Sequence, residues 1–206
     1  MKNNELCEKL DLMIENPQCE LSYNKDYELL IAVMLSAQCT DKRVNIVTKE
    51  LFSKYDLRDI ANLDISVIEQ MIKSLGSYTK KAYYMKEIAN SLLVNYDGKV
   101  PNDRAYLESL PGVGRKTCNV VLSELFDVPT IAVDTHVERV SKRIGLAKYK
   151  DDVATIEKRL MKYFNVDDYN RVNHQLVLFG RYICTAKNPH CDNCLIACKH
   201  KKTKEK

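Results

Sequence analysis

Four cysteines fall within residues 184–198, spaced Cys184-x6-Cys191-x2-Cys194-x3-Cys198. Four thiolates this close suit a metal centre better than disulfides in a chain with no secretory signal. Zinc held by four cysteines and an iron–sulfur cluster both use such a set, and the spacing leaves both open. A second group lies in Leu110-Pro111-Gly112-Val113-Gly114-Arg115-Lys116-Thr117. Two glycines two residues apart allow a sharp turn and a close backbone approach to a ligand. If a helix starts just after Gly114, its unpaired amides and positive end face the turn and favour an anion such as a phosphate. Lys116 would then sit in the first helical turn, where the dipole opposes positive charge. Such a place suits a neutral amine that attacks carbon, although an exposed phosphate-binding lysine fits the same spacing. Asp134 stands at another expected helix start. A carboxylate there can cap the helix or stabilise positive charge developing on a substrate. Thr135 and Glu138 stand at capping-box spacing beside it.

These residues need a scaffold, and the apolar spacing predicts a helical one. Leu30, Val33, Met34 and Ala37 recur as one helix face, as do Cys118, Val121, Leu122 and Leu125. Ile65, Ile68, Ile72 and Leu75 keep to one face, and Ile156, Leu160, Met161 and Phe164 suggest another. Val172, Leu176, Phe179 and Tyr182 continue the trend less regularly, and Val137, Val140 and Ile144 are expected to face inward. Gly76, Gly98 with Pro101, the 111–114 turn and Pro129 punctuate these segments. No stretch alternates in the manner of a strand, so the expected fold is all-α.

The chain has 206 residues, with 45% hydrophobic and 29% charged content, enough for one large or two small cores. No apolar run reaches the roughly 18 residues of a membrane helix. The first residues are polar and lack the apolar core of a signal peptide, so the cytoplasm is the expected compartment. A net charge of +4 is too small to require a nucleic-acid partner, although the tail from Lys199 onward is a sharper basic cluster.

Leu110 to Leu122, LPGVGRKTCNVVL, resembles the helix–hairpin–helix motif of the endonuclease III family of DNA glycosylase/lyases. The resemblance extends to Leu35-Ser36-Ala37-Gln38-Cys39-Thr40-Asp41, to Val133-Asp134-Thr135-His136-Val137 and to the cysteine run, in matching order. It implies an all-α protein of two lobes. One is expected over residues 20–129 with the helix–hairpin–helix at about 102–125, and the other over 1–19 plus 130–206 with a [4Fe–4S] cluster on Cys184, Cys191, Cys194 and Cys198. It further implies a monomer acting on double-stranded DNA that contains damaged bases or abasic sites. Lys116 would be the nucleophile at C1′ and Asp134 the catalytic carboxylate. Gln38, Gly112, Val113, Gly114, Arg115, His136 and Lys187 would contact DNA, with Gln38 filling the gap left by an extruded nucleotide. The implied activity is excision of oxidised pyrimidines followed by β-elimination at the abasic site. The rivals are a mismatch-directed glycosylase, whose adenine-mismatch branch generally lacks the lysine at position 116, and a non-catalytic, metal-stabilised DNA-binding module. The chain departs from the family in two places. Its last cysteine gap is three residues where five is usual, and Ser77, followed by Tyr78, stands where an apolar wedge is expected.

Overall fold

The computed structural model describes residues 3–198; the basic tail from Lys199 onward lies outside the described residues. Among these residues there is no strand. The helices are α1 (Asn3–Met13), α2 (Asp26–Leu35), α3 (Asp41–Lys54), α4 (Leu57–Asn62), α5 (Ile65–Ile72), α6 (Tyr78–Tyr96), α7 (Arg104–Ser109), α8 (Arg115–Phe126), α9 (Thr135–Ile144), α10 (Val153–Tyr163) and α11 (Tyr169–Tyr182). Short 3-10 turns add Val166–Asp168 and Cys191–Asn193. The helices divide into two compact units, one made of residues 19–126 and the other of the chain before and after it.

The 19–126 unit is organised around α2, which packs on α3, α6 and α8. Every residue from Tyr27 to Leu35 is buried. A helix that is apolar all round belongs in the interior, so its sequence marks no single inward face. The spacing that placed Ala37 on that face fails because the helix stops at Leu35, and Ala37 is exposed. Buried Glu28 is satisfied at the start of α2, where it accepts from the amides of Asn24 (2.7 Å) and Lys25 (3.3 Å). Helix α6 packs against α4 and α5, and α7 against α8. Ile68 and Ile72 carry the inner face of α5, whereas Ile65 is exposed.

In the other unit, α11 is the central element, packed by α9 and α1. Its core includes Leu6, Leu10, Val137, Ile156, Leu176 and Phe179. Tyr182 ends α11 on the exposed side, so the inward stripe stops at Phe179. Asp11 of α1 accepts from Arg171 and, at 2.7 Å, from Gln175 Nε2 of α11. Aspartate recurs as the cap of this chain's helices: Asp56, Asp64, Asp103, Asp134 and Asp152 each accept from an amide of the first turn. Such a cap is worth about 0.5–2 kcal/mol.

Candidate active site and cysteine loop

The 111–114 turn joins α7 to α8, and its two glycines meet different demands. Gly112 has φ +79°, and a Cβ there would lie 2.5 Å from Tyr84 Cδ2 and 3.2 Å from Met34 Cγ. Backbone and packing therefore both require glycine. At Gly114, φ is not positive and a Cβ would meet nothing within 4 Å, so the fold itself makes no such demand. Val113 is buried, and its amide already donates to Leu110 O at 3.1 Å. It anchors the turn to the core and has no spare N–H to offer a ligand. Gly114 O accepts from Cys118 N at 2.9 Å and so opens α8. The next residues, exposed Arg115 and half-buried Lys116, occupy the first turn, where amides lack carbonyl partners within the helix.

Lys116 has a thiol in its electrostatic neighbourhood. Burial pushes the Cys19 thiol up to about 11, Glu124 and Asp41 add to the rise, and the Leu21 backbone and the Lys116 cation oppose it. At neutral pH Cys19 is therefore a neutral thiol and a poor nucleophile beside the amine.

Among the described residues, two of the four non-glycine positions with positive φ are Gln38 and Ser77, both at φ 57° and both exposed. Left-handed backbone at such residues costs on the order of 1 kcal/mol or more and persists where the surroundings hold it. Ser77 directly precedes α6, and Tyr78 is half-buried as its first residue.

In the other unit, Asp134 is the N-cap of α9, and one oxygen accepts from the amides of His136 and Val137, both at 2.8 Å. Thr135 is the first helical residue, and Glu138 Oε1 accepts from Lys142 Nζ at 2.6 Å. The capping-box spacing at 135 and 138 is thus one residue out of step with the cap itself. Burial lowers the His136 pKa from its ordinary 6.5; Asp134 raises it, and Arg139 and Arg181 lower it further. Burial therefore favours the neutral ring of His136. Arg139 Nη2 lies 3.2 Å from its Nδ1, and a hydrogen bond to the Gly180 backbone also favours the charged ring. A Cβ at Gly180 would come within 2.9 Å of His136 Cβ, so glycine on α11 lets α9 approach.

The cysteine loop follows α11. Arg139 donates to Gly180 O at 2.7 Å and to Cys184 O at 3.2 Å. Arg143 donates to Thr185 O at 2.7 Å, Ala186 O at 3.0 Å and Cys184 O at 3.3 Å, and its Nη1 lies 3.4 Å from Cys184 Sγ. Neither arginine was singled out from sequence. The available signal was Arg143 in the last turn of α9, where cations are favoured, with Arg139 one turn before it on the same face. Cys184, Cys191, Cys194 and Cys198 line one cavity whose other walls include Ile144, Phe179, Ile183, Pro189 and Ile196. None of the four is in a disulfide. Four cysteine sulfurs around a shared apolar cavity are a donor set that fits a thiolate-held metal group. Lys187 lies exposed on the same loop.

Residues 31–166 match the HhH-GPD superfamily of base excision DNA repair proteins. Endonuclease III of Bacillus subtilis is 47% identical over 196 residues, covering 94% of this chain and 90% of that protein. Endonuclease III of Escherichia coli K12 is 43% identical over 182 residues, covering 88% and 86%. A solved structure of a trapped endonuclease III–DNA covalent intermediate superimposes with a TM-score of 0.94 at 43% identity, over 100% of both chains. With the all-helical fold and the turn preceding Lys116, these similarities show that the chain belongs to the endonuclease III family, within the HhH-GPD superfamily of base excision DNA repair proteins.

Proposed function

We infer that the protein is a bifunctional DNA glycosylase and abasic-site lyase of base excision repair, acting on oxidised pyrimidines in duplex DNA. The observation that carries this is the Lys116 amine in the first turn of α8, in a chain matched end to end by an enzyme caught in a covalent intermediate with DNA. Lys116 Nζ attacks C1′ of the damaged nucleotide, and the base leaves with the electrons of the glycosidic bond. Loss of the amine protons and opening of the sugar give a Schiff base between Nζ and C1′. Removal of a C2′ proton then expels the 3′ phosphate by β-elimination, and water releases Lys116 from the product. Asp134 stabilises the positive charge that builds on the sugar and moves protons in the imine steps. Its carboxylate can cap α9 through one oxygen and keep the other for this work.

Duplex DNA docks through phosphate at the turn before α8. The open space at Gly114 and the amides of the following turn support this, with Arg115 beside them. Gly112 and Val113 shape the turn, while Lys187 adds a phosphate contact from the cysteine loop. His136 contributes from the start of α9, where Arg139 Nη2 lies 3.2 Å from its ring. Gln38 enters the gap left by the extruded nucleotide, with Tyr78 beside Ser77 in place of an apolar wedge. The four cysteines hold a [4Fe–4S] cluster. When bound, that group cross-links a loop with little core of its own and supplies no bond-breaking step.

The test is borohydride trapping on duplex DNA carrying an abasic site. The native chain is expected to form a covalent adduct, and Lys116→Ala to form none while still binding the duplex. An adduct of undiminished yield in Lys116→Ala would move the nucleophile elsewhere.

A further inference from the structure

Lys81 is an anomaly in α6. It is a lysine with 5% relative exposure, and among the described residues no carboxylate pairs with it. Its ammonium donates to Ala37 O at 2.8 Å and lies 3.5 Å from Cys39 Sγ. Those are the residues on either side of Gln38. Its own backbone amide donates to Ser77 O at 3.1 Å. Lys81 thus ties the two neighbours of Gln38 to the first turn of α6, which Ser77 precedes, and Gln38 and Ser77 are each held at φ 57°.

Burying an ammonium without an anion is costly, and a hydrogen-bonded carbonyl only partly offsets that cost. The carbonyl it meets lies just past the C-terminus of α2, where backbone oxygens run out of amide partners and the helix dipole favours a cation. The turn itself holds Ala37 N to Met34 O at 3.4 Å and Cys39 N to Ser36 O at 3.0 Å. Neither bond fixes the peptide between Ala37 and Gln38. Lys81 does.

We propose that Lys81 is a positioning residue for base extrusion: it holds the 37–39 turn against the start of α6, so that Gln38 is presented in the left-handed conformation that enters the base stack. This rests on the gap-filling role of Gln38 proposed above. Lys81 touches no substrate and acts through Gln38. Without it the turn can relax toward ordinary backbone angles, and Gln38 loses its fixed direction. The cost falls on extruding a paired, stacked nucleotide more than on the chemistry of an abasic site, which has no base to unstack.

The experiment is a mutant cycle of Gln38→Ala, Lys81→Met and the double variant, read as single-turnover excision of thymine glycol from duplex DNA. Each single variant is expected to slow excision about tenfold, as for loss of one charge-assisted hydrogen bond or the contact it supports. Strand cleavage by Lys81→Met at a preformed abasic site should stay within about threefold. The double variant should be no slower than about twofold below either single one, because both changes remove one function. Fluorescence of 2-aminopurine opposite the lesion should rise on binding the native chain and lose that rise equally in both single variants. Lys81→Arg, which keeps a cationic donor, should recover most of the rate. If Lys81→Met does not fold, Lys81→Gln retains a neutral donor and is carried through the same cycle, where a partial, non-additive loss is expected. Full excision by Gln38→Ala would remove the proposed role of Gln38 itself. Slow excision by Gln38→Ala, together with a native rate in the Lys81 variant or a multiplied loss of about a hundredfold in the double variant, would overturn the positioning role alone.

Discussion

The 111–114 turn with the start of α8, and the loop at 184–198, both carry proposed site residues, yet they are held by different forces. Residues 110–117 are seated by packing. Val113 is in the core, its amide is paired, and Gly112 lets the turn lie against Tyr84 and Met34. The cysteine loop has one three-residue 3-10 turn, Cys191–Asn193, and an apolar cavity where a core would be. Its first residues hang from two arginines of α9 through backbone carbonyls. Shape specified by close packing is complete in the chain alone. Shape specified around a cavity is completed by what fills it.

The largest effect that would sharpen this contrast is removal of the proposed cluster by chelation, or Cys194→Ser. Amide protection over 184–198 should fall by about a hundredfold or more, the scale on which metals stabilise small modules, while 110–117 stays unchanged. Hydrogen exchange read by segment decides it, and equal loss in both segments would break the comparison. Next in size is Gly112→Ala, which meets both a positive φ and Tyr84 and should cost about 2–4 kcal/mol in urea melts. Gly114→Ala should stay within about 0.5 kcal/mol and yet weaken duplex binding. Equal destabilisation by the two would mean the glycines serve the fold alike. The smallest effect separates the two roles of Asp134. Asp134→Ala should cost about 0.5–2 kcal/mol, whereas Asp134→Asn, itself a good cap, should stay within a few tenths, with excision lost in both. Native excision rates in Asp134→Asn would leave the carboxylate as a cap alone.

The amphipathic helices were legible because their inner faces recur at helical spacing, as in α8 with Cys118, Val121 and Leu122 buried. Helix α2 was legible as a helix, but its burial on every side was not, since a continuous apolar run marks no face. Its end was also hidden. The chain turns left-handed at Gln38, and no glycine there announces it. The turn before Lys116 stood out by its residue types, but the different duties of Gly112 and Gly114 depend on what a side chain would strike. Lys81 was invisible for a general reason: lysine is usually a surface residue, and only tertiary contacts show one drawn inside.

Helix α1 precedes residues 19–126 in the chain, yet its partner is α11, reached through Asp11 with Arg171 and Gln175. The whole of residues 19–126 must leave the ribosome and stay out of the way before that pairing can form. Folding during translation therefore cannot proceed strictly from one end to the other. The early unit can close behind its own last helix, whereas α1 waits as an uncovered amphipathic stretch whose docking completes the molecule.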